Sequence, residues 1–251
     1  MSSRPFPSAI ATSLLMLAVG GPVHAQAVDV APGAQAGKAS ASDTATRRQQ
    51  AAAKRLSDAA AVASTMGAAP GMHDLLAKAR GVYIVPTYGR AALGVGAEGG
   101  AGVLMVKQSS GSWGNPVFFN LGGLSLGLQA GAEGGAIALV LMNQKAVDSF
   151  RNRNNFSLSA DAGITVINYA RMAQGTTTGD VVAWSGSKGL FGNAATVALN
   201  DIRYNQRLTE AYYGKPVTAL QAIDSTEPNA QADPLRRALE KPGTAPAATG
   251  R

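Results

Sequence analysis

The hexapeptide Gly96-Ala97-Glu98-Gly99-Gly100-Ala101 recurs unchanged as Gly131-Ala132-Glu133-Gly134-Gly135-Ala136, and a run of aliphatic residues follows each copy. Aligned from Ala92 and Gly127, the copies also share Leu93 with Leu128 and Leu104 with Leu139, so the natural reading is a pair of related hairpins. Glycine weakens a strand unless a bulge, a sharp bend or a close backbone approach requires it. Its density here therefore predicts a strongly bent sheet or small barrel. Each copy also sets an acid among glycines, which makes the repeat either backbone architecture or a site.

Short β-rich runs punctuated by glycine continue the pattern: Val82–Val85, Ala91–Val95, Gly102–Lys107, Pro116–Asn120, Leu124–Ala130, Ala136–Met142, Ala162–Asn168, Val181–Ser185 and Thr196–Arg203. Helical spacing places a long Ala-rich helix from Ser42 or Asp43 to about Met66, broken by Pro70-Gly71, and a short one over Met72–Arg80. Further helices are expected over Gln144–Arg151 and Gln206–Tyr213. The predicted fold class is α+β, with N-terminal helices followed by a glycine-rich antiparallel sheet or small barrel. Residues 43–223 form this domain. Residues 26–42 and 224–251 are rich in Ala, Pro, Gly and Ser, too poor in large apolar groups to offset the entropy of ordering, and are expected to be a flexible leader and a flexible tail with at most a short helix around Pro234–Glu240.

Arg4, the apolar run Ala9–Val19 and the small residues up to Ala25 have the form of a secretory signal, with cleavage after Ala25 or, alternatively, after Ala27. The run is too short to span a bilayer, so a periplasmic or secreted protein is expected. The chain has no cysteine, which excludes disulfides, thiolate metal sites and thiol nucleophiles. Its net charge of +7 becomes +6 once Arg4 is removed, and suits anionic surfaces. Nucleic acid is not the expected partner, because the basic residues are scattered and rarely alternate with aromatics.

Several motifs carry the letters of catalysis without its companions. Gly94-x-Gly96-x-x-Gly99 matches the dinucleotide fingerprint, but a strand follows it where a helix N-terminus is needed. Gly123-Leu124-Ser125-Leu126-Gly127 matches a nucleophile elbow, yet no histidine follows it in the chain. Ser185-Gly186-Ser187-Lys188 spells Ser-x-x-Lys among turn residues. His73 alone cannot hold a metal, and no cofactor is expected. Glu98 and Glu133 could be a catalytic pair or a cation site. The preferred reading is that each accepts backbone N–H groups of its glycine turn, with Asp161 in a degenerate third copy. No enzymatic activity is expected.

The first helix carries Arg47, Arg48, Lys54 and Arg55, spaced by seven, with Leu56, Ala60 and Ala63 around the other side. It is a basic amphipathic helix with an alanine-dominated apolar face, compatible either with an anionic membrane surface or with an ordinary solvated face.

From about Leu76 to Gly214 the chain resembles the SYLF lipid-binding domain family. The resemblance is carried by Ala77–Pro86, the Gly94–Gly102 cluster, Gly111-Ser112-Trp113 ahead of Pro116, Gly127–Glu133 and Val140–Asn143. It continues through Asp161-Ala162-Gly163, Ser187-Lys188-Gly189-Leu190-Phe191-Gly192 and Tyr212-Tyr213-Gly214. It implies a noncatalytic domain that binds membrane lipid, phosphoinositides in eukaryotic members, through an N-terminal amphipathic helix, and some eukaryotic members also bundle actin. Carried onto this chain, the lipid role falls on Arg47, Arg48, Lys54 and Arg55. Gly96, Glu98, Gly131, Glu133, Asp161 and Gly189 belong to structural motifs. Anionic lipid is the expected partner, with another envelope protein as the alternative.

Overall fold

The computed structural model describes residues 41–89, 99–125, 134–158, 163–174, 179–187, 190–191, 196–227 and 229–240. Two helices lead, α1 (Ala41–Gly67) and α2 (Met72–Lys78). They are followed by strands β1 (Gly81–Tyr88), β2 (Gly100–Val106), β3 (Val117–Ser125) and β4 (Gly135–Leu141), then helix α3 (Gln144–Asn152) and the short strands β5 (Asn155–Phe156) and β6 (Val166–Asn168). Helix α4 (Tyr169–Met172), strands β7 (Val181–Ser185) and β8 (Ala198–Tyr204), and helices α5 (Gln206–Tyr213), α6 (Ala219–Asp224) and α7 (Asp233–Glu240) complete the chain order.

The strands form one sheet in the order β5-β8-β3-β2-β1-β4-β7-β6, curled into a half-barrel. The α+β class and the bent sheet agree with the sequence expectation. The sheet is mixed, because β6 joins β7 in parallel while the other named pairings are antiparallel. Both edge strands are very short, which limits the unpaired backbone available for edge-to-edge association.

The repeat acquires its meaning from this order. Its two copies lead into β2 and β4, and those strands are the two neighbours of the central β1. The first copy joins an antiparallel pair, as a hairpin does. The second joins β3 to β4, which are not neighbours, so the expected second hairpin is a crossing instead. Where the copies reach the described residues they let backbones close on β1. A Cβ at Gly100 would stand 2.3 Å from the Thr87 carbonyl oxygen, and one at Gly134 would stand 2.5 Å from that of Tyr88.

The central strands are buried on both faces, which explains their near-continuous apolar sequence. On one face Tyr83, Leu104, Phe119 and Leu139 pack with Phe150 of α3 and Ile223 of α6. On the other, Val82, Ile84, Met105 and Val140 pack under α1, α2 and α7. Beyond residue 224, where the tail is expected to hold at most a short helix around Pro234–Glu240, α7 spans Asp233–Glu240. Leu235 and Leu239, four apart on α7, are buried in the second cluster, and a four-residue spacing on a short helix becomes stable once another surface covers it. Helices α4 and α6 are additions to the expected elements, while Ala91–Val95 and most of Leu124–Ala130 lie outside the described residues.

One residue is held against its preference. Asp201 in β8 has φ 59°, the only non-glycine in the left-handed region among the described residues, and its carboxylate accepts from Arg203 Nε. It lies over Gly122, where a Cβ would meet the carboxylate at 2.3 Å. The αL conformation costs an L-residue roughly 1–2 kcal/mol, and an exposed ion pair returns little of it. Asp201→Gly is therefore expected to leave urea-induced unfolding unchanged or to raise stability by up to about 1 kcal/mol. Asp201→Val is expected to lower it by about 2 kcal/mol; a glycine variant less stable than the valine variant contradicts this account.

Candidate functional site

Helix α1 is continuous over 27 residues. Ala52, Leu56, Ala59, Ala63 and Met66 fall on one stripe at helical spacing and are buried in the cluster that also holds Leu235 and Leu239 of α7 and Tyr212 of α5. The stripe begins only at Ala52. Residues 42–51 are exposed apart from half-buried Thr44, so roughly three turns stand clear of the domain. Asp43 in the first turn complements the helix dipole there.

The four basic residues singled out on this helix have three different environments. Arg47 and Arg48 lie on the projecting turns, exposed, and neither has a carboxylate within ion-pair distance among the described residues. Lys54 is neutralised by Asp58 one turn on, at 2.8 Å. Arg55 is half-buried against the domain. Burial pushes the Tyr83 hydroxyl well above its ordinary range, and the Arg55 charge offsets part of that rise. The free positive charge of α1 is thus concentrated at Arg47 and Arg48.

The apolar stripe of α1, whose sequence is compatible either with a membrane surface or with an ordinary solvated helix, faces protein. Turning Leu56 and Met66 outward would empty the layer between α1 and the sheet, and each large aliphatic side chain removed from a core costs roughly 2–5 kcal/mol. In the folded state α1 can meet an anionic surface only through its charges. Among the described residues no helix is long and apolar enough to cross a membrane, and no three His, Cys, Asp or Glu side chains are grouped to hold a metal.

Gly96, Glu98, Gly131, Glu133, Asp161 and Gly189 lie outside the described residues, as do the first 40 residues and Lys188. Gly99, the last glycine of the dinucleotide-like motif, leads directly into β2, so no helix N-terminus follows it. Ser125 is the last residue of β3, its backbone paired with Ala198. Ser185 is occupied within its own turn, accepting from Ser187 N–H and donating to the Ser187 carbonyl, both at 3.1 Å. His73 is exposed on α2, with Asp74 at 3.7 Å.

A second feature was not foreseen from the sequence. Two open grooves, of about 560 and 510 Å³, flank the strap Ser225–Glu227, which lines both. The strap is pinned from below by buried Asn115, whose Nδ2 donates to the carbonyls of Ser225 (3.1 Å) and Glu227 (2.8 Å). Arg236 holds Asn115 in turn, with Nη2 donating to Asn115 Oδ1 at 2.6 Å. Its Nη1 reaches Asp233 Oδ1 (2.7 Å) and the Asn229 carbonyl (2.9 Å), and its Nε the carbonyls of Trp113 and Gly114. Trp113, Gly114 and Asn115 lie more than a hundred residues before the strap and Arg236, so no local pattern signals these contacts. Only the four-residue spacing of Leu235 and Leu239 marks the helix that carries Arg236.

Comparison with known proteins finds relatives for this chain. A family profile described as "Ysc84: Las17-binding protein actin regulator" matches residues 122–242, just under half of the chain and including the ordered segment through α7. LAS seventeen-binding protein 3 of Saccharomyces cerevisiae is 27% identical over 174 residues, covering 66% of this chain and 38% of that protein. SH3 domain-containing YSC84-like protein 1 of Homo sapiens is 26% identical over 173 residues, covering 66% of this chain and 49% of its own length, and the Bos taurus protein of the same name is similar at 26% over 174 residues. The chain spans half or less of the length of these relatives.

Proposed function

We propose, from the fact that this chain belongs to the SYLF (Ysc84) family, that it is an exported, noncatalytic binding protein which docks on anionic lipid through the projecting turns of α1. The observation that carries this reading is the pair Arg47 and Arg48, exposed and without a carboxylate partner among the described residues. Because the apolar stripe of α1 is committed to the core, the contact is peripheral and electrostatic, and it weakens as salt screens it.

Each basic residue close to an anionic bilayer contributes about 1 kcal/mol. Replacing both Arg47 and Arg48 by alanine should therefore weaken co-sedimentation with phosphatidylglycerol vesicles by about thirtyfold. It should leave the thermal midpoint unchanged, since neither side chain packs. Equal pelleting on neutral and anionic vesicles, or an unaltered affinity in the double variant, removes this mechanism.

The names of the relatives favour a second reading, in which the partner is a protein. The yeast relative is named for binding LAS seventeen, and the family description names an actin regulator. Co-sedimentation with actin filaments that is insensitive both to salt and to the Arg47 and Arg48 substitutions would support that reading over the first.

A further inference from the structure

We propose that the end of the sheet where β1 begins and β2 ends is a phosphate-binding site formed by Arg80 and Lys107, with Lys78 beside them. It is separate from α1 and does not depend on the lipid reading.

The site follows from strand register. Gly81 is paired with Val106, and one rung further out the Lys107 N–H donates to the Arg80 carbonyl at 2.8 Å, so the two residues stand directly opposite each other. Side chains two residues apart on a strand share a face. Val82 and Ile84 on β1, and Val103 and Met105 on β2, pack in the cluster under α1 and α2. Arg80 and Lys107 therefore occupy that same face at its rim. Lys78 lies in the last turn of α2, immediately before the chain enters β1.

Lys107 is a fixed charge. Its Nζ donates to the carbonyls of Leu76 (2.8 Å) and Ala77 (2.7 Å) at the end of α2 and lies 5.0 Å from the centre of the Trp113 ring. One of its three N–H groups remains. Burial, and then the Arg80 guanidinium, pull its pKa down. Arg80 and Lys78 are exposed, and neither has a carboxylate within ion-pair distance among the described residues. Asp180, two strands away on the same rung, is committed to Asn143 Nδ2 and the Thr165 N–H, and Asp74, one turn before Lys78, lies beside His73.

Like charges directly opposite on a ladder are destabilising, and no described carboxylate offsets this pair. An anion with several acceptor oxygens does: seated between Arg80 and Lys107, it converts the repulsion into charge-assisted hydrogen bonds. A phosphate group, whether free or at the head of an anionic lipid, matches a planar guanidinium beside a fixed ammonium.

The test uses the full chain. Its thermal midpoint is followed against inorganic phosphate, with sodium chloride adjusted to hold ionic strength constant, in parallel with co-sedimentation on phosphatidic acid vesicles. Near tenfold excess over half-saturation, phosphate should raise the midpoint by about 3 °C. Arg80→Gln should abolish that rise, and without phosphate its midpoint should equal or exceed the parent's, because a repulsion has been removed and the Arg80 side chain makes no bond to a described residue that could be lost. The Arg47 and Arg48 double-alanine variant should keep the full phosphate response, which separates failure of this site from failure of the α1 mechanism. A rise that depends on Arg80 assigns free phosphate. Vesicle pelleting that depends on Arg80, without a response to inorganic phosphate, assigns the lipid headgroup. An equal rise in parent and Arg80→Gln, or no rise together with pelleting that ignores Arg80, overturns the site.

Discussion

Gly102→Ala should lower the stability of the fold by about 3–5 kcal/mol, although it adds a single methyl group. A Cβ at this position would stand 2.6 Å from the Ile84 carbonyl oxygen and 2.6 Å from the Tyr83 ring. The ring has nowhere to go. Tyr83 is fully buried, donates its hydroxyl to the Phe119 carbonyl at 3.0 Å, and meets Phe119 and Phe150 at centroid distances of 6.3 and 5.4 Å. Overpacking of this kind costs roughly 1–3 kcal/mol, and breaking the buried hydroxyl bond adds roughly 1–3 kcal/mol. For a domain of this size the thermal midpoint should fall by about 10 °C or more. A double-mutant cycle with Tyr83→Ala separates ring displacement from backbone strain: if the ring is the obstacle, the two losses are markedly less than additive. Additive losses, or a midpoint within about 3 °C of the parent, contradict the close approach.

Arg236→Ala should release the C-terminal segment from the rest of the domain while the sheet persists. The guanidinium serves the side chains of Asn115 and Asp233 and the carbonyls of Trp113, Gly114 and Asn229. Asn115 is only 4% exposed, so its carbonyl oxygen would be left without a donor in a place water reaches poorly. One such group costs roughly 1–3 kcal/mol, and with the weakened strap the total is about 3 kcal/mol. Amide hydrogen exchange should show lost protection in α7 while β1 and β4 stay protected, and the emission of Trp113 should shift to the red as its cover loosens. Arg236→Lys should not rescue the effect, because a single ammonium cannot span acceptors arranged around a planar fork. Retained protection in α7 would show that Leu235 and Leu239 hold the helix without the arginine.

Much of the architecture was legible because it is encoded locally. The alternation of β-branched and aliphatic runs with glycine marked β1, β2, β4 and β7, and the stripe at Leu56 and Ala63 marked α1. The segment that escaped, α6, is a short helix whose few apolar residues become meaningful only against a surface built by distant strands. The same locality limits the reading of the candidate site. Arg47, Arg48, Lys54 and Arg55 look alike in the sequence, and the fold makes them a free pair, a neutralised lysine and a half-buried arginine.

The repeated Gly-Ala-Glu-Gly-Gly-Ala shows where the division falls. The sequence by itself determined that two related segments feed two related strands and that the backbone there tolerates almost no side chain, since periodicity and the absence of a Cβ are local properties of the chain. It also carried the resemblance to the SYLF family. Only the tertiary structure decided that both strands flank β1, that one copy lies between neighbouring strands while the other lies between strands that do not pair, and that Arg80 faces Lys107. Register and strand order arise from long-range pairing, and no window of the sequence contains both partners.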